Sequence, residues 1–66
     1  MGKKFRHYKG TIYVVLTSAI HSETAEELII YQNDKGETFA RPREMFFEDV
    51  ILKDGTRVKR FEEIIE

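Results

Sequence analysis

The residue types that could do chemistry are concentrated in one short polar stretch. His21-Ser22-Glu23-Thr24, followed by Glu26 and Glu27, puts an imidazole, a hydroxyl and several carboxylates within a few positions, the ingredients of a base-activated serine nucleophile. In such a site the base must touch both the nucleophile and an orienting acid, and consecutive residues on one loop do not reach that geometry. The same groups have a structural use. Ser22 and Thr24 hydroxyls can cap backbone amides in a tight loop, while His21 or Glu23 bonds across to Tyr8, Arg41 or Arg60. His7, His21 and Glu23 would form a two-histidine, one-carboxylate metal set if folding joined them, but 14 residues between the histidines is not a ligand spacing. Gly2, Gly10, Gly36 and Gly55 are scattered and build no phosphate loop. The sequence therefore predicts no catalytic residue, no metal and no cofactor, with an enzyme using the His21–Thr24 loop as the remote alternative.

Binding is the class that remains. Tyr8, Tyr13, Tyr31 and Phe39, together with Lys9, Arg41, Arg43 and Arg60, could supply stacking and charge to a peptide or a nucleic acid. Against this, most of eight aromatics in 66 residues must be core, and arginines among 12 acids commonly sit in surface ion pairs. The expected contact face comprises Tyr8, His21, Glu23, Thr24, Tyr31, Arg41 and Arg60, on the premise that the loop after the second strand and the break at Pro42 meet at one rim. That makes the chain a non-catalytic protein- or peptide-interaction module; the alternative is a weak single-stranded nucleic-acid binder using the basic first strand.

Length and composition bound these readings. The 66 residues, 41% of them hydrophobic, make one small domain spanning 1–66, with a core that removes roughly 60% of the unfolded chain's surface from water. No cysteine is present, so neither a disulfide scaffold nor a thiolate metal site can stabilise it. Eleven bases against 12 acids exclude an overall basic field. The distribution is uneven, because residues 1–22 carry Lys3, Lys4, Arg6 and Lys9 with no acid, and residues 23–66 hold all 12 acids against seven bases. The longest apolar run, Ile12 to Leu16, is too short for a membrane span, and Met1-Gly2-Lys3-Lys4 leads into no signal-type segment. A soluble, cytoplasmic monomer or weak homo-oligomer with no membrane partner is expected.

The elements that must position these residues read as short strands. Phe5 to Tyr8 alternates, Lys9-Gly10-Thr11 turns, and Ile12 to Ile20 is β-branched and aromatic with apolar side chains on both parities, which predicts a bent strand. Thr24-Ala25-Glu26-Glu27 matches a capping box, yet Leu28 to Gln32 is of strand length and Asn33-Asp34-Lys35-Gly36 follows with turn chemistry, so a strand is favoured over a helix. Glu37 to Arg41 returns as its partner and stops at Pro42, which can open a helical turn through Phe47. Val50 to Lys53 and Thr56 to Phe61 flank Asp54-Gly55 as a hairpin, and Glu62 to Glu66 adds a terminal turn or frays. The expected core is Tyr13, Val15, Leu28, Ile30, Phe39, Met45, Phe46, Val50, Leu52, Val58 and Phe61.

In order and spacing, Arg6-His7-Tyr8-Lys9-Gly10, Tyr13-Val14-Val15, Ala19-Ile20-His21-Ser22-Glu23-Thr24, Ile30-Tyr31-Gln32, Arg41-Pro42-Arg43-Glu44-Met45-Phe46-Phe47-Glu48-Asp49-Val50 and Arg60-Phe61 resemble the bacterial family called domain of unknown function 1653. The resemblance runs from about Arg6 to Ile64, and the His-Ser-Glu-Thr and Arg-Pro-x-x-Met-Phe segments are specific in combination. It implies an all-β, SH3-like barrel of five or six short strands with a short helical turn, and it implies no activity.

Overall fold

A computed structural model describes residues 2–65 of the chain. Strands β1 (Lys4–His7), β2 (Ile12–Ile20), β3 (Glu27–Gln32) and β4 (Thr38–Pro42) lead into a single helical turn, α1 (Arg43–Phe46). Then come β5 (Asp49–Ile51), β6 (Arg57–Lys59) and β7 (Phe61–Glu63). All pairings are antiparallel. One sheet has the order β4-β3-β2-β1-β7, and β5 with β6 forms a separate hairpin. The all-β class and the helical turn match the sequence reading. The strand count is seven, because the C-terminal segment expected as a turn pairs with β1 as β7; Ile64 N–H donates to the Lys4 carbonyl at 2.9 Å beyond it. The terminal Glu66 lies outside the described residues. No helix of the described residues is long and apolar enough to cross a membrane.

The turns follow from their residues. Asn33 accepts two backbone N–H groups on its side-chain oxygen, from Lys35 at 3.0 Å and Glu37 at 2.9 Å, and Gly36 supplies the positive φ of 83° that closes this hairpin. In the Leu52–Thr56 turn, Asp54 accepts the Thr56 amide at 2.9 Å, and that bond holds its carboxyl below the usual carboxylate range. Pro42 stands one place earlier than expected: it is the last residue of β4, opposite Leu28, and precedes the helical turn as its N-cap.

The bend expected in β2 is a bulge. Val15 pairs with Tyr31 and Thr17 with Ile30, leaving Leu16 as an extra residue. Before it, Tyr13 and Val15 face the concave side; beyond it the parity changes, and Thr17 to Ile20 are all exposed, with Ile20 at 66%. The far end of the β2–β3 pair is thus an arm carrying little of the core. The Cα radius of gyration of 12.6 Å exceeds the roughly 11 Å of a compact chain of this length.

The core consists of Phe5, Val15, Ile29, Tyr31, Phe46 and Phe61, with Tyr13 packed against it. Val15, Phe46 and Phe61 are as expected. Leu28 and Ile30 are only half-buried because β3 turns the alternate pair, Ile29 and Tyr31, inward. Phe39 and Met45 are exposed at 38% and 45%, since β4 is an edge strand and the single turn of α1 presents only Phe46 inward. Val50, Leu52 and Val58 are half-buried in and beside the second hairpin. Phe46 has no exposed surface and stacks on Phe61 with centroids 4.2 Å apart and planes 4° from parallel. Phe5 and Tyr31 meet Phe46 edge-on at 5.2 and 5.3 Å.

Two stability predictions follow from this packing. Phe46→Ala removes the one ring every other core ring leans on, and chemical denaturation should show a loss of about 3–5 kcal/mol. A loss within about 1 kcal/mol of zero would discard this account of the core. Ala25, at φ 62°, is a non-glycine residue in the left-handed region; Ala25→Gly should raise stability by roughly 0.5–1 kcal/mol in the same assay.

Candidate functional site

The His21–Thr24 segment is a loop fastened to itself. His21 Nδ1 accepts the backbone N–H groups of Glu23 at 3.2 Å and Thr24 at 3.3 Å. The His21 carbonyl accepts the Ala25 amide at 2.9 Å, the His21 amide donates to Glu26, and Thr24 Oγ1 accepts the Glu26 amide. Nδ1 of the imidazole is therefore occupied by the loop's own backbone. Thr24 acts as a turn residue, and the capping box does not open a helix, because Glu27 is already the first residue of β3. The cross-links expected from this loop to Tyr8, Arg41 or Arg60 are made to other groups instead.

Tyr31 is 5% exposed, so its ring belongs to the core; its hydroxyl accepts Arg41 Nε at 3.3 Å across the β3–β4 pair. Arg60 donates to Glu48 Oε1 from Nε at 3.1 Å and from the terminal guanidinium at 2.8 Å, and its backbone N–H bonds the Glu48 carbonyl at 3.0 Å. This double link ties the residue before β5 to the β6–β7 junction. Arg43 pairs with Glu27 at 3.3 Å and lies 5.4 Å over the Phe47 ring.

Convergence on one rim is partial: the Arg41–Pro42 end of β4 lies beside the start of β3, at the same end of the sheet as the His21 loop, and Tyr8 is at the other end. Tyr8 follows β1, at the Ile12 end of β2, and its amide donates to the Arg60 carbonyl at 3.0 Å. His21, Glu23 and Thr24 lie beyond Ile20, at the other end of that nine-residue strand, about 26 Å away at strand rise. Tyr8 and Arg60 are brought together, Tyr31 and Arg41 are brought together, and the His21 loop lies at the Arg41–Pro42 end of the sheet, apart from Tyr8. The same separation keeps His7 away from His21 and Glu23. Among the described residues no group of three or more metal-binding side chains forms.

The structure builds a different concavity. A cleft of about 490 Å³ opens where the end of β1 and β7 meet the β5–β6 hairpin. Its cations are Arg6, Arg57 and Lys59, its apolar floor is Leu52 and Val58, and one wall is the His7–Tyr8 pair. Glu62 is the one carboxylate lining it, opposite Arg6 in the β1–β7 register. The Tyr8 ring, 39% exposed, lies 4.5 Å from His7, and the Lys9 ammonium is 5.8 Å from its centroid. Of these groups the sequence reading singled out Tyr8 for the contact face. Arg6, Arg57, Lys59 and Leu52 come from three distant segments, and the one available signal was the alternation of basic and apolar residues in Arg57-Val58-Lys59.

His7 is the titratable group of this wall. Burial, reinforced by the positive charges of Arg60, Lys9 and Arg41, lowers its pKa below the ordinary histidine value. Its Nδ1 accepts the Lys9 backbone N–H at 3.1 Å, a bond that protonation at that nitrogen would abolish, and its ring meets Phe61 edge-on at 5.0 Å.

With this geometry in view, comparison with known proteins places the chain in a family. It matches the family model described as a protein of unknown function, DUF1653, over residues 3–63, and it belongs to that family. It matches no curated protein and no solved structure.

Because the folded chain binds a proton at His7 less readily than the unfolded chain does, falling pH favours unfolding, starting near the unfolded histidine value of about 6.5 and ending at the lower folded value. Denaturation midpoints measured from neutral to mildly acidic pH should fall in the wild type and fall less in His7→Gln; equal slopes would remove His7 as the cause.

Proposed function

We propose that this chain is a non-catalytic protein-interaction module that grips an acidic peptide segment of its partner in the cleft between the end of β1 and the β5–β6 hairpin. The single observation that carries the reading is the composition of that cleft: three cations and one carboxylate around a floor of Leu52 and Val58. Carboxylates of a bound segment would meet Arg6, Arg57 and Lys59, and an apolar side chain between them would cover Leu52 and Val58. A second hollow, of about 560 Å³ beside the Gly10 turn, has Asp34 and Lys35 in balance and offers no comparable charge.

A single-stranded nucleic acid is less well served. Strand binders present successive aromatic platforms along a basic groove, whereas Tyr8 is the one tyrosine or phenylalanine lining this cleft. The catalytic alternative has little support, since His21 Nδ1 is held by the Glu23 and Thr24 amides.

Fluorescence anisotropy with labelled acidic-apolar peptides and with an oligothymidylate tests the reading. The wild type should bind the peptide with a shallow dependence on salt, and Arg57→Glu with Lys59→Glu should weaken binding by about tenfold or more. The melting temperature should stay near that of the wild type, because both side chains are exposed. Stronger binding of the oligonucleotide, with a steep salt slope, would replace the peptide with a nucleic acid; an unaltered affinity in the double variant would remove the cleft from the account.

A further inference from the structure

The sheet has two edges of different character. β7 is three residues long and carries Glu62 and Glu63, charges that repel a second copy of the same edge. β4 is five residues long and carries an exposed phenylalanine, Phe39. Among the described residues, β4 pairs with β3 alone.

The hydrogen-bond phase of that edge is fixed by the adjoining hairpin. Asn33 N–H donates to the Glu37 carbonyl at 3.1 Å, so positions 33 and 37 form a hydrogen-bonded pair. Antiparallel pairs alternate, which makes Tyr31–Phe39 and Ile29–Arg41 hydrogen-bonded pairs and Gln32–Thr38, Ile30–Ala40 and Leu28–Pro42 the intervening ones. The backbone N–H and C=O groups of Thr38 and Ala40 therefore point away from β3, out of the edge. So does the nitrogen of Pro42, which has no hydrogen to donate, and this ends the usable edge after Arg41.

We propose that β4 is a self-pairing edge: two copies of this chain associate by antiparallel β4–β4′ pairing centred on Phe39. In this register Thr38 lies opposite Ala40 of the second copy and Ala40 opposite its Thr38, so the outward groups are satisfied by four hydrogen bonds. Phe39 meets its own counterpart as a non-hydrogen-bonded pair, the closer type, with Cα atoms about 4.5 Å apart. The ring is already held, stacked on Tyr31 at 5.5 Å and 29°.

Charge complementarity selects this register. Glu37 and Arg41 share the face of Phe39, and centring on residue 39 puts each Glu37 opposite the Arg41 of the second copy, twice by symmetry. Glu37 Oε1 is engaged by Asn33 Nδ2 at 2.8 Å, which leaves Oε2; Arg41 uses Nε on Tyr31, which leaves its two terminal nitrogens. Sliding the register by two residues toward either end keeps the alternation of the ladder but sets Ala40 opposite Gly36, outside β4, or Thr38 opposite Pro42, which cannot donate, and it places Glu37 opposite Phe39 or opposite residue 43 and loses the paired charges and paired rings. The union adds two short strands side by side and is a weak, concentration-dependent dimer rather than an obligate one. It lies apart from the cleft and does not depend on what that cleft binds.

Sedimentation of the full chain over a micromolar to millimolar series tests the inference. The wild type should pass from monomer to dimer as concentration rises. Ala40→Pro removes an outward donor without touching the β3 ladder and should leave a monomer at every concentration, with an unchanged circular dichroism spectrum. Glu37→Lys and Arg41→Glu, each alone, should weaken the dimer about tenfold through two like-charge contacts, and the two together should restore it. The charge-swap rescue stands whether or not the proline variant folds. A wild type that stays monomeric throughout, a dimer that survives in folded Ala40→Pro, or a double swap no better than the single changes would overturn the proposal.

Discussion

The fold depends on one ring, that of Phe46, being driven from a single helical turn into the concave side of the sheet. A turn of four residues has no stability of its own. It exists because the chain must cross from β4 to β5, and because burying the phenylalanine against Phe61, Phe5 and Tyr31 is worth more than the order it imposes. Those three rings come from β7, β1 and β3, so the same contact fixes the C-terminal strand, the N-terminal strand and the middle of the sheet. The six buried residues among those described form one cluster, and Phe46 is the member without exposed surface.

Polar chemistry in the chain is devoted mostly to holding turns. His21, Thr24, Asn33 and Asp54 each accept backbone amides a few residues away. Arg60 and Glu48 act at longer range, the guanidinium donating to the Glu48 carboxylate and the Arg60 amide to the Glu48 carbonyl, where the chain passes from the second hairpin to β7. The segment with the most catalytic-looking composition is thus occupied with its own backbone.

The cleft and the loop lie at opposite ends of β2, and the difference between them is instructive. The loop collects reactive residue types by adjacency in sequence; the cleft collects charge and apolar surface from β1, the Leu52 turn, β6 and β7. The cleft is open and is lined with both. The family to which the chain belongs adds no activity to this description.

The sequence by itself determined the local structure. β-branched and aromatic runs of strand length, the turn residues around Gly10, Asn33–Gly36 and Asp54–Gly55, and Pro42 before a helical turn were sufficient to place the elements other than β7, because turn chemistry and chain stiffness act over a few residues. The central place of Phe46 and Phe61 was legible for the same reason, being large apolar residues next to breaks. Only the tertiary structure decided which face of each strand looks inward. Ile29 and Tyr31 displaced Leu28 and Ile30 because Tyr31 pairs with the buried Val15 of β2, and in a strand a shift of one residue exchanges the two faces. Arg6 lines a cleft with Arg57 and Lys59 for a reason that no local pattern carries: the chain returns β7 to the side of β1, and charges some 50 residues apart meet where those strands end.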